Sequence, residues 1–204
     1  MLKLRLAIIA AAFIVLVAFA GFNWYRSAHS GPRNFVTAAD SSQEPGGPFT
    51  LVDQNGKPVT EAMLKGKWTA VFFGYTYCPD FCPLTLQSLA QTQKRLGDKA
   101  RDFQIVFISV DPARDTPANL KAYLDSGGMP QSAIGLTGTQ AQIDKVTAEY
   151  RAPAQKVGSG DTYTFQHVTT VYLMDPQGHY NSVYGYGLDP DTTANLIRNA
   201  MAGQ

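Results

Sequence analysis

The 204-residue chain has 45% apolar residues, including 11 Phe and 10 Tyr, enough for one ordinary domain with a real core plus an appendage. Charged residues make up 16% and the formal net charge is +1, with no basic block or acidic tail. That balance gives no electrostatic reason to expect nucleic acid as a partner.

In chain order, a short basic lead (Lys3, Arg5) is followed by an uncharged run from Leu6 to Tyr25. Twenty residues in a helix span about 30 Å, the thickness of a bilayer core. Trp24 and Tyr25 stand where an interfacial aromatic belt would, and Lys3 and Arg5 place the N-terminus on the cytoplasmic side. Residues 1–26 are therefore expected to be a single transmembrane helix. Ala18-Phe19-Ala20 also has the small-x-small form of a cleavage site, so a signal peptide is the alternative; either exports the rest of the chain. Without an Arg- and Ser-rich presequence, the expected location is a bacterial inner membrane, single-pass, with the domain facing the periplasm. Residues 27–48, rich in Ser, Gly, Pro, Ala and Asn, are expected to be a flexible tether.

The exported domain is expected over 49–204. Residues 49–52 and 57–60 form a hairpin pattern turned by Asn55-Gly56. Residues 69–75 and 104–110 are nearly continuous apolar runs, as strands buried on both faces are. Between them a helix opens at Pro83, keeps Leu86, Leu89 and Leu96 at helical spacing, and closes at Gly97. Asp115-Thr116-Pro117 caps a second helix that runs to about Asp125, and a third spans 139–150 with Ile143, Val146 and Tyr150 on one side. Residues 151–166 are full of Gly, Ser, Pro and Lys and are expected to be a mobile loop. Strands at 168–174 and 180–186, joined by Asp175-Pro-Gln-Gly178, precede a helix at 192–201. The order predicts an α/β, thioredoxin-like fold with an N-terminal β-hairpin extension.

The chain has two cysteines, in Cys78-Pro-Asp-Phe-Cys82-Pro83, between a central strand and the helix after it. A helix N-terminus favours the thiolate, which attacks disulfides and binds metal. The spacing is one residue longer than that of C-x-x-C oxidoreductases, which suits a soft ion between two sulfurs. A disulfide remains open, either structural or as a redox pair, although a five-residue ring staples little chain.

Three histidines are present. His29 in the tether and His179 in a turn are expected to be exposed and idle. His167 opens the strand after the long loop, and in a thioredoxin-like fold that loop lies opposite the active-site helix N-terminus. Two thiolates and one imidazole make a trigonal Cu(I) site; Cu(II) would want a further oxygen ligand, and zinc also accepts such a set.

Residues 74–83, with Cys78 and Cys82, resemble the copper motif of the Sco (SenC-like) family of cytochrome oxidase assembly proteins. Asp111-Pro-Ala-Arg-Asp-Thr-Pro117, Gly135-Leu-Thr-Gly138 and His167-Val-Thr-Thr-Val-Tyr-Leu173 match in order, so the resemblance covers roughly 49–201. It implies Cys78, Cys82 and His167 as copper ligands, an N-terminal membrane anchor, and a role in building the dinuclear copper site of cytochrome c oxidase. The partners so implied are the copper-site subunit of that oxidase and a periplasmic copper donor or thiol reductant. A metallochaperone is the expected function, with a thiol–disulfide reductase acting on the subunit's cysteines as the alternative. Tyr77 stands where the family often has His, and Gln166 where an acidic residue commonly precedes the histidine. Asp111, Arg114 and Asp115 are expected to cap the second helix and brace the loop beside the site.

Overall fold

The two continuous apolar runs are adjacent parallel strands at the centre of one sheet, paired from Trp68↔Phe103 to Gly74↔Ser109. The computed structural model describes residues 44–187 and 189–203, together with 19 and 21. Nearly all of the expected membrane helix and of the tether lies outside the described residues, among which no helix is long and apolar enough to cross a membrane.

The strands are β1 (Thr50–Asp53), β2 (Pro58–Thr60), β3 (Trp68–Gly74), β4 (Phe103–Ser109), β5 (Ile134–Thr137), β6 (Ala154–Val157), β7 (Thr164–His167), β8 (Val171–Met174) and β9 (Tyr180–Tyr184). The helices are α1 (Phe81–Arg95), α2 (Pro117–Leu124), α3 (Gln140–Glu149) and α4 (Pro190–Met201). Seven strands form the main sheet in the order β2-β1-β5-β4-β3-β8-β9, and β6 and β7 pair separately. β3, β4 and β5 are parallel, while β8 runs antiparallel to β3 and β9 antiparallel to β8. This is the thioredoxin-like arrangement. The β1–β2 hairpin widens the same sheet through β5 rather than standing apart from it.

Thr69 to Gly74 and Ile105 to Ser109 are all buried, which accounts for their nearly continuous apolar character. Three of the helices start on a side-chain cap: Thr116 accepts from Asn119 N, Thr139 and Gln142 form a capping box, and Asp189 accepts from Asp191 N and Thr192 N. α1 begins at Phe81, two residues before the expected Pro83. The first four helical N–H groups have no intrahelical acceptor, so Pro83 is tolerated at the third helical position as well as at the first.

Three expectations are corrected. β5 was not expected at all: it is four residues long and contains Gly135, where a Cβ would lie 2.8 Å from Leu124 Cδ1, so the glycine lets α2 pack closely on the strand. The expected loop 151–166 contains β6 and most of β7, an antiparallel hairpin in register from Ala154↔His167 to Val157↔Thr164. In consequence His167 closes β7, and β8 starts only at Val171. Residues 44–48, the last of the expected tether, lie against the domain, with Gly46 N donating to Glu149 O at 2.9 Å.

Candidate metal centre

The end of β3 delivers the chain into residues 75–80, and α1 then places Cys82 in its first turn. The Cys82 N–H donates to Cys78 Sγ at 3.4 Å, so an unpaired helix-terminal amide meets the first sulfur. Neither cysteine is in a disulfide; Cys78 is 7% exposed and Cys82 fully buried. Gly74 makes room for this packing, since a Cβ there would lie 2.7 Å from Cys82 Sγ. Asp115, fully buried, braces the loop: it accepts from Thr76 N at 2.9 Å, Thr76 Oγ1 at 2.6 Å and Ser109 Oγ at 2.5 Å. Of the three residues expected as cap and brace, none is the side-chain cap of α2, which is Thr116.

The antiparallel register Phe72↔Val171 lays the start of β8 beside the end of β3. The residues just before β8 therefore reach the cysteine loop. His167 Nε2 lies 3.6 Å from Cys82 Sγ, and its Nδ1 lies 2.7 Å from the Val168 carbonyl oxygen. A carbonyl only accepts, so the neutral ring carries its proton on Nδ1 and turns the Nε2 lone pair toward the sulfurs. Tyr75 and Phe72 meet the imidazole edge-on, at 5.7 Å and 6.5 Å between centroids. Gln166, one position earlier in the strand, is exposed.

The ligand atoms of Cys78, Cys82 and His167 all lie within 4.8 Å of one another. Three bonds of about 2.0–2.3 Å at 120° would set such atoms roughly 4 Å apart, so the group fits a three-coordinate ion with small adjustments. Soft thiolates make copper, above all Cu(I), the matching metal.

The sulfurs hold one proton between them. Cys78 is lowered to about 4, chiefly by the hydrogen bond from the Cys82 thiol, against the opposing effect of burial. Cys82 is pushed well above the ordinary thiol range by the same contact with Cys78 and by its burial. Cys78 is thus a thiolate at neutral pH, and Cys82 gives up its proton only to a metal or another strong competitor.

The SCO1/SenC family model matches residues 37–202, which include the whole described domain before its last residue. The chain belongs to the SCO1/SenC family. It is 41% identical over 160 residues to the mitochondrial protein SCO2 of Saccharomyces cerevisiae, covering 76% of this chain and 52% of that one. The chain therefore spans about half the length of that relative. Protein SenC of Rhodobacter capsulatus is 40% identical over 158 residues, 77% of this chain and 71% of that protein. Among solved structures, ScoI of Bradyrhizobium japonicum with copper bound matches with a TM-score of 0.70 and 44% identity, over 76% of this chain and 98% of that one. BsSco, whose structure is described with a disulfide switch and which is a member of the Sco family of cytochrome c oxidase assembly proteins, matches with a TM-score of 0.63 and 27% identity, over 82% of this chain and 97% of that one.

All three expected site residues are brought together. His29 lies outside the described residues, and His179 is an exposed turn residue with Nδ1 4.0 Å from Asp175 Oδ2. Gly74, Tyr75 and the Val168 carbonyl were not singled out from the sequence. A glycine ending an apolar run was the available signal for the first; a backbone oxygen leaves none.

Proposed function

We propose that this protein is a copper metallochaperone. It holds copper between Cys78 Sγ, Cys82 Sγ and His167 Nε2 and delivers it to the dinuclear copper site of cytochrome c oxidase during assembly. The observation that carries this reading is the closed Cys-Cys-His triangle, with the imidazole already in the tautomer that ligates through Nε2. Support also comes from a relative solved with copper bound. Delivery proceeds by ligand exchange: an acceptor thiolate enters as Cys78, nearer the surface than Cys82, lets go. The uncharged run from Leu6 to Tyr25 holds the domain on the periplasmic face of a bacterial inner membrane.

The Cys78 thiolate favours a second activity. Cys78 attacks a disulfide of the oxidase subunit, and Cys82 then attacks the mixed disulfide, passing its proton to the departing thiolate. The acceptor is left reduced and Cys78–Cys82 oxidised. Incubating the copper-loaded, reduced protein with the apo copper-site domain of an oxidase subunit, its cysteines already reduced, separates the two. The chaperone reading expects copper to move to the acceptor. Copper retained by this protein, with rapid reduction of an oxidised acceptor in a parallel reaction, would make it a reductase instead.

A further inference from the structure

The two sides of the metal centre come from distant segments, the cysteine loop and the β6–β7 hairpin, and one side chain touches both. Arg114 lies in the turn between β4 and α2, with its guanidinium carbon 3.7 Å from the ring centroid of Tyr163 in the hairpin segment. It lies 4.6 Å from the ring of Tyr77, the neighbour of Cys78, and 5.8 Å from that of Tyr75. Nη1 donates to the Tyr163 carbonyl at 3.1 Å, and Nε pairs with Asp111. The second carboxylate oxygen of Asp111 accepts from the Tyr163 hydroxyl at 2.8 Å. Nη2 is buried and has no partner among the described residues, so the rings hold that end of the guanidinium. Ring contacts then run from Tyr163 to Phe165 (5.8 Å), from Phe165 to Tyr75 (5.6 Å), and from Tyr75 to His167 (5.7 Å).

Apart from Ala154 and Phe165, which pack against the core, the hairpin has little else to hold it. β6 is exposed along most of its length, β7 is buried nowhere, and a lone two-stranded ribbon is marginal in water. We propose that Arg114 is a positioning residue for His167: it clamps the β6–β7 hairpin to the cysteine loop, so that Nε2 faces the sulfurs before any metal arrives. The proposal rests on Cys78, Cys82 and His167 being the copper ligands. Opening the clamp lowers the fraction of molecules with His167 in place, and copper affinity falls by that fraction. Lysine does not replace Arg114, because only the planar fork reaches Asp111 and the Tyr163 carbonyl while lying against two rings.

The test compares wild type with Arg114→Lys, each with and without His167→Ala, by anaerobic Cu(I) titration. It adds amide hydrogen exchange of the reduced, copper-free proteins. Arg114→Lys is expected to speed exchange at 154–167 while leaving β3 and β4 protected, and to weaken Cu(I) binding about tenfold. In the His167→Ala background the same change is expected to alter affinity no further. Tyr163→Leu, which removes the ring from the other side of the clamp, should behave as Arg114→Lys does. Unchanged exchange in the hairpin, or an equal loss of affinity with and without His167, would overturn the proposal. Wild type that binds no copper would sink the copper reading instead, and the copper-free exchange data would still decide the clamp.

Discussion

His167 Nε2 stands 3.6 Å from Cys82 Sγ while Nδ1 of the same ring is held 2.7 Å from the Val168 carbonyl. One local hydrogen bond thus decides which nitrogen faces two sulfurs that lie far away in sequence. The neutral imidazole is expected to be the Nδ1–H tautomer in the copper-free protein. Long-range proton–nitrogen NMR of the reduced domain checks this, and an Nε2–H signal from His167 would contradict it.

Gly74→Ala places a methyl group 2.7 Å from Cys82 Sγ and 2.8 Å from Phe107 Cε2. Both neighbours are fully buried, so neither yields easily. A loss of about 1–3 kcal/mol in urea unfolding is expected, as for other overpacked cores. Copper affinity should fall with it, because the sulfur moves off the triangle. Unaltered stability would mean that the strand end relaxes more than this packing allows.

The shared proton makes the two cysteines chemically unequal. With Cys78 lowered to about 4 and Cys82 raised, iodoacetamide at pH 6 should label Cys78 and spare Cys82, as located by fragment mass spectrometry. Copper binding near pH 7 should release about one proton, from Cys82, since Cys78 is already ionised. Affinity should therefore weaken as pH falls.

Asp115 accepts three hydrogen bonds from Thr76 and Ser109, and burial raises its carboxyl above the usual value. Asp115→Asn keeps a carbonyl for Thr76 N and Ser109 Oγ, but its amide nitrogen makes the Thr76 hydroxyl turn to accept, and the charge-assisted bonds are lost; a loss of about 1–2 kcal/mol is expected. An acid whose folded pKa is raised binds more protons folded than unfolded, so its contribution to stability falls as pH rises through the window above 3.8. The gap between wild type and Asp115→Asn should accordingly widen on acidification from neutral pH. Urea titrations at pH 7 and pH 4.5 measure it, and a gap that narrows would contradict the placement of this carboxylate.

The strands that position the site were legible because they are buried on both faces: 69–75 and 104–110 nearly coincide with β3 and β4. Cys78 and Cys82 were legible as a site because the thiol pair falls between a buried strand and a helix start, while the choice among disulfide, redox pair and metal ligands came from the family resemblance. The β6–β7 hairpin was not, because its exposed residues, such as Gln155 and Lys156, carry no apolar alternation. It is fixed by Tyr163 and Arg114, which touch only after folding. Ile134–Thr137 was hidden by its brevity and by Gly135, which weakens a strand pattern while allowing α2 to approach. Because the hairpin was hidden, His167 was expected at the start of a strand and is found at the end of another.

Anaerobic copper titration of the reduced domain, beside His167→Ala and the double change Cys78→Ala/Cys82→Ala, tests the central claim most directly. The triangle of ligand atoms within 4.8 Å predicts about one tightly held Cu(I) per chain, roughly ten- to a hundredfold weaker without the imidazole and absent without the sulfurs. Binding that is indifferent to His167, or that survives loss of both cysteines, would contradict the three-ligand centre.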